Sequence, residues 1–203
     1  MDKIFPSDGN DAGSTPALST NIMRLFMEII MNKDNLKDED VTDFSLKVRG
    51  IIEKDGSFLV GKYDDVYLLP GGKVEDGEDL FVGLSRELKE ELGVDYSSEE
   101  MIPFMRVVHY DKDYIKRDGS KVNRKVETIY FIVPYKGYDL DKVTLSESEK
   151  KFGFSLGLIS SDELDNISKI SSVNPRREFF NSELSVVLNS YLSKENHKVF
   201  EKK

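Results

Sequence analysis

The stretch between residues 72 and 94 constrains this chain more than any other part of it. It reads Gly-Lys-Val-Glu-Asp-Gly-Glu-Asp-Leu-Phe-Val-Gly-Leu-Ser-Arg-Glu-Leu-Lys-Glu-Glu-Leu-Gly-Val. Leu80, Leu84 and Leu88 recur at i, i+4 and i+8, which predicts a helix over 79–92 with one apolar stripe, ended by Gly93. Glu87, Glu90 and Glu91 stand at i, i+3 and i+4 of that helix, so three carboxylates share a face. Carboxylates so spaced repel and cost helix stability, and Lys89 lies between them in sequence but on a different face. One reading is a charged helix solvated at the surface. The other is that a divalent cation neutralises the cluster while the leucine stripe holds the helix against a sheet, with Arg86 orienting Glu87 or Glu90 from the side. Gly71-Gly72 permits a sharp turn and offers bare backbone carbonyls as further oxygen ligands.

The remaining composition narrows the metal chemistry. The chain has no cysteine and two histidines, His109 and His197. That excludes disulfides, thiolate nucleophiles and cysteine zinc sites, and leaves oxygen ligation suited to Mg²⁺ or Mn²⁺. A net charge of -9 argues against broad electrostatic binding to a nucleic-acid backbone or an anionic membrane. It leaves a small phosphorylated ligand open, because bound cations reverse the local charge. With 38% hydrophobic and 33% charged residues the 203-residue chain reads as globular, one domain with extensions. No apolar run approaches the roughly 20 residues that span a bilayer. No basic-then-apolar leader is visible at the start, so the expected location is cytoplasmic.

Residues 1–22 are rich in Ser, Asp, Asn, Gly and Pro without periodicity and read as disordered. Residues 12–20 look like the T-arm end of a tRNA gene translated by mistake, Gly13-Ser14-Thr15-Pro16 matching its conserved part. On that reading translation starts at Met23, Met27 or Met31; an ordinary flexible tail is the alternative. Residues 22–31 are apolar and suggest a short helix, and 32–43 a charged linker, so 1–41 is expected to be a disordered or weakly helical leader. Residues 44–52 alternate apolar and polar as a half-buried strand does, 54–57 form a hairpin turn, and 58–60 return as a strand. Strands are expected at 101–110 and 126–134 around a polar turn at Arg117-Asp118-Gly119, and another at 152–159. A capped helix begins near 161, and Asn174-Pro175 opens a last helix to about residue 193. The class is mixed α/β, with one domain over 42–195 and a flexible tail over 196–203.

The 72–94 segment resembles the Nudix box, G-x5-E-x7-R-E-U-x-E-E-x-G-U with U aliphatic, of the MutT-like Nudix hydrolases. Gly72, Glu78, Arg86, Glu87, Leu88, Glu90, Glu91, Gly93 and Val94 fill every defined position. The resemblance implies an α/β/α sandwich with a mixed central sheet and flanking helices. It also implies metal-dependent hydrolysis of a nucleoside diphosphate linked to another group. Glu87, Glu90, Glu91 and the Gly72 carbonyl would bind Mg²⁺ or Mn²⁺, with Glu78 and Arg86 supporting loop and helix. Water attacks phosphorus in such enzymes, and a carboxylate takes its proton. Glu87 or Glu90 would serve where the base lies in the box; where it lies in a later loop, Glu147 and Glu149 are in the matching region, each against the reading of a surface glutamate.

Substrate choice is less legible. Lys62 follows a strand where the family often has a basic residue near the phosphates. Tyr63, Tyr67, Tyr110 and Tyr114 are candidates for stacking on a base, or for half-buried packing. Tyr110 lies 16 residues after the box, an offset that resembles dinucleoside polyphosphate hydrolases. The proline of ADP-ribose hydrolases is missing from its offset, Pro103 being too early. Arg117, Lys121, Arg124 and Lys125 cluster at the polar turn as phosphate or ribose ligands, or as a solvated hairpin tip. The expected ligand is thus a small nucleotide, a nucleoside triphosphate or another nucleoside diphosphate derivative. A non-catalytic nucleotide sensor and a dinucleoside polyphosphate or RNA 5′-end pyrophosphohydrolase are the alternatives. The common prenyl diphosphate isomerase of this fold needs a cysteine that the chain lacks. Nudix enzymes are often homodimers.

Overall fold

The alternation at 44–52 does produce a strand, and the rest of the architecture is arranged around it. The strands are Met27–Met31 (β1), Asp43–Ile51 (β2), Glu53–Lys54 (β3), Ser57–Tyr63 (β4), Val66–Leu68 (β5), Ile102–Ile115 (β6), Lys121–Ile132 (β7) and Ser155–Ser160 (β8). The helices are Leu80–Leu92 (α1), Glu147–Lys151 (α2), Leu164–Ile167 (α3) and Phe180–Glu201 (α4). This computed structural model describes residues 27–145, 147–151, 153–172 and 179–201, without the side chains of 148, 149 and 194–201.

One sheet has the order β1-β6-β7-β2, with β6 and β7 antiparallel and both outer strands parallel to their neighbours. In the second sheet β4 pairs antiparallel with β3, β5 and β8. The β3–β4 turn carries positive φ at both Asp55 (51°) and Gly56 (79°), the backbone of a tight hairpin. The first sheet is covered on both faces. On one, the α1 stripe of Leu80, Leu84, Leu88 and Leu92 packs on Val48, Ile129 and Phe131. Burial of each such leucine contributes about 2 kcal/mol. On the other, Met105, Val107 and Tyr130 meet Phe58, Val60 and Ile159 of the second sheet, and Leu184, Val187 and Leu188 of α4. Among the described residues no helix is long and apolar enough to cross a membrane.

Several expectations need correction. Residues 27–31 form a strand, not part of a helix; residues 22–26 lie outside the described ones. Met27, Ile29 and Met31 turn inward onto the core while Ile30 is 60% exposed, a period of two imposed by the open edge of β6. The folded unit therefore starts ahead of residue 42. β6 and β7 run several residues longer than expected, because the polar ends of the hairpin complete each other's ladder up to Ile115↔Lys121. The strand expected from 152 begins at Ser155, behind α2, with residue 152 outside the described ones. The start expected at Asn174-Pro175 also lies outside them, whereas α4 continues past 193 to Glu201, through most of the expected tail.

Candidate active site

Helix α1 is fixed at both ends. Asp79 caps its start, accepting from the N–H groups of Phe81 (2.9 Å) and Val82 (3.4 Å), and Gly93 ends it in a left-handed conformation. From its middle, Arg86 reaches back to the loop before the helix. It donates to Glu78 through Nε (2.9 Å) and a terminal nitrogen (3.0 Å), to the Lys73 carbonyl (3.0 Å) and to Glu87 (2.9 Å). This fork holds the Glu78 carboxyl below its usual range. Burial pushes the Glu87 carboxyl up, against the pull of Arg86.

The Glu87 carboxylate lies directly on the preceding loop. A Cβ placed on Gly72 would fall 2.3 Å from a Glu87 oxygen, so a side chain there would displace that carboxylate. Glu91 is 5% exposed and accepts from the Gly71 N–H (2.9 Å). Glu90 is the freest of the three, its side chain 45% exposed and 3.6 Å from Arg86. The Gly72 carbonyl accepts from the Val48 N–H (3.0 Å), which leaves its second lone pair. Among the described residues no group of three or more Asp, Glu or His side chains forms a preformed metal cage. The donors are nevertheless hard oxygens on one wall of one cleft, which suits Mg²⁺ or Mn²⁺ better than a softer ion.

That cleft has a volume of about 440 Å³. Glu87, Glu90 and Glu91 form one wall, and Lys47, Arg49, Lys73 and Arg117 bring four cationic side chains to the same space. Lys47 and Arg49 come from alternate positions of β2, opposite Thr128 and Tyr130 of β7. Arg49 is 7% exposed and donates to the carbonyls of Leu69 and Gly71 (3.2 Å for the latter), tying the glycine loop to the sheet. Burial, with Arg49 nearby, pulls the Lys47 ammonium down to about 8, and Glu183 on α4 opposes this.

The cleft gathers Gly72, Glu87, Glu90 and Glu91 as the sequence suggested, together with Tyr63 and Arg117. Lys62, Tyr110 and Arg124 do not line it. Lys62 is exposed, with its ammonium over the Tyr67 ring at 5.3 Å. Tyr110 donates to Asp38 (2.6 Å), and Arg124 donates to Asp43 (2.6 Å) while covering the Tyr114 ring at 3.8 Å. These contacts brace the β6–β7 arm, as do Lys125 with Asp38 (2.8 Å) and Lys121 with Asp113 (3.7 Å). Arg86 stands beside the cleft as the support of Glu87. The Glu149 side chain lies outside the described ones; Glu147 is exposed and paired with Lys150 at 2.9 Å.

Lys47 and Arg49 were missed because polar residues at alternate strand positions are expected to face solvent. Here the second sheet and α4 cover that face, so it lines the cleft. Two cations at i and i+2 ahead of an acidic helix were the available signal.

On a mixed α/β scaffold, a cleft that brings carboxylates and cationic side chains together suits an enzyme that handles phosphorylated ligands. A family model, the NUDIX domain, matches residues 48–152, more than half of the 203 residues. The chain belongs to the Nudix family and is a pyrophosphohydrolase of nucleoside diphosphate derivatives; members of this family generally use divalent metal ions. Similar solved structures include the E. coli ORF135 protein, 24% identical over 61% of this chain and 79% of that one, with a TM-score of 0.39. A NUDIX hydrolase from Nitrosomonas europaea is 19% identical over 66% and 82%, with a TM-score of 0.44. A bifunctional NMN adenylyltransferase/ADP ribose pyrophosphatase from Francisella tularensis is 16% identical over 74% of this chain and 42% of its own, with a TM-score of 0.47. No curated protein matches the sequence.

Proposed function

We propose that the cleft hydrolyses the diphosphate linkage of a nucleoside triphosphate, or of a closely related nucleotide, with Mg²⁺ or Mn²⁺ and attack of water on phosphorus. The observation that carries this reading is the meeting of three box carboxylates and four cationic side chains in one cleft. Glu87, Glu90, Glu91 and the Gly72 carbonyl are the groups that would hold metal. When bound, the ion supplies Lewis-acid polarisation of the phosphate and a more acidic water.

The other roles belong to the chain itself. Lys47 and Arg49, in the same cleft as the glutamates, neutralise charge on the phosphate oxygens. Because Arg49 also grips the Leu69 and Gly71 carbonyls, its position is fixed before any ligand arrives. Arg86 fixes the rotamer of Glu87. Glu87 and Glu90 are the carboxylates able to take a proton from water within the cleft; burial raises the basicity of Glu87, and Glu90 is the more exposed. Glu149, on α2, remains the proposed base outside α1.

The test is a panel of nucleoside triphosphates, nucleoside diphosphate sugars and dinucleoside polyphosphates with Mg²⁺ or Mn²⁺, scored for phosphate products. Glu90→Gln is expected to lower the best rate by about 100-fold. No turnover of any diphosphate by the wild type, or equal turnover by the variant, overturns the reading.

A further inference from the structure

We propose that Phe154, seated on Gly61 and flanked by Tyr63, is a stacking platform for the nucleobase and the main determinant of nucleotide affinity in the cleft. The inference takes its ligand class from the hydrolysis proposed above, and its test separates the two.

The platform is built into the second sheet. Gly61 and Tyr63 both line the cleft from alternate positions of β4, while Lys62 between them is exposed. Phe154 immediately precedes β8, whose register sets Ser155 opposite Lys62 and Leu156 opposite Gly61. A Cβ on Gly61 would lie 2.4 Å from the Phe154 ring, so the edge of the ring abuts bare backbone and any side chain at 61 must displace it. The Tyr63 ring stands beside it, with centroids 5.1 Å apart and planes at 56°. Both rings are only partly buried although they pack on each other.

The partial exposure points to a ligand. Phe154 and Tyr63 share one cleft with Lys47, Arg49 and the three glutamates. A polyphosphate bound to the charged groups alone would leave two aromatic rings against water. A nucleotide extends an apolar, planar base beyond its phosphates, and base–aromatic stacking is tolerant of sequence because every base has a π-face. With the Gly61 backbone against its edge and the Tyr63 ring beside it, the Phe154 ring is held in place before a base arrives, which lowers the ordering cost left for binding.

The experiment compares wild type, Phe154→Ala, Phe154→Tyr and Gly61→Ala. Three quantities are read: KM and kcat for the best nucleotide substrate, inhibition by inorganic tripolyphosphate as a base-free probe, and equilibrium binding of a non-hydrolysable analogue of that nucleotide. Phe154→Ala is expected to raise the nucleotide KM and the analogue Kd about tenfold, with kcat within about twofold and tripolyphosphate inhibition unchanged. Gly61→Ala is expected to act in the same direction by pushing the ring off the strand, and Phe154→Tyr to keep wild-type affinity. Unchanged nucleotide affinity in both Phe154→Ala and Gly61→Ala overturns the platform. So does an equal loss for tripolyphosphate, which reports a collapsed cleft, and so does a wild type that does not bind the analogue. A wild type that binds it in a Phe154-dependent way but turns over nothing supports the platform while sinking the hydrolysis reading.

Discussion

Arg86 joins three parts of the site at once: Glu78 and Lys73 in the loop, Glu87 on the helix. Removing it leaves the two carboxylates without their cation, Glu78 and Glu87 having side chains only 11% and 14% exposed. Arg86→Ala is therefore expected to cost about 1–3 kcal/mol of stability together with most of the activity, read by denaturant unfolding and rate on the same preparation. Full activity with an unchanged unfolding midpoint would show that the fork is ornamental. Lys47 makes a different prediction. Its folded value of about 8 lies below the ordinary 10.5. Below about pH 8 the group is charged in both states, and folding bears the cost of burying it. Between about 8 and 10.5 the unfolded chain holds the extra proton, so stability rises with pH across that window and is flat above it. A Lys47→Met variant should lose this rise. Phosphate affinity should run the other way in the wild type, weakening as pH passes about 8 and the ammonium discharges. Parallel stability profiles for wild type and variant between pH 7 and 10.5 would refute the assignment.

At the level of elements, the sequence was most readable where local chemistry and tertiary packing agree. The β2 alternation, the Asp55-Gly56 turn and the capped, leucine-striped α1 all appear close to their expected places, because each carries its own signal in the chain. β1 had no such signal. Its five residues are apolar enough for helix or strand, and the β6 edge decides between them. The same holds for the site. Glu87, Glu90 and Glu91 are legible from spacing on one helix, whereas Lys47, Arg49 and Phe154 reach the cleft only because two sheets and α4 close around it. Lys62, Tyr110 and Arg124 show the converse: plausible residue types whose partners are fixed by distant segments. β1 also supplies a test. A protein starting at Met23 keeps the strand, and one starting at Met31 loses Met27 and Ile29 from the core. The shorter protein is expected to melt about 5–10 °C lower. Equal melting temperatures would mean that β1 adds nothing to the sheet.

Across the whole molecule, charge is distributed against its own average. A chain with net charge -9 places four cationic side chains in the cleft that holds its box glutamates. Four cations and three carboxylates nearly cancel, so the empty balance favours neither a bare polyphosphate nor a bare metal strongly; each makes room for the other. A metal ion at the glutamates offsets the repulsion within α1 and raises the positive potential that a polyphosphate meets. Metal alone should then stabilise the folded state by mass action, about 2.7 kcal/mol at a hundredfold excess over its Kd. For a domain of this size that corresponds to a melting rise of about 5–10 °C. Mg²⁺ or Mn²⁺ added to chelator-treated wild type is expected to give a rise of that order, and Glu87→Gln with Glu90→Gln to abolish it. Nucleotide with chelator should shift melting less than nucleotide with metal, since the cationic side chains then act without the ion. An identical metal shift in the double variant would place the ion elsewhere on this acidic surface and remove the box carboxylates from metal binding.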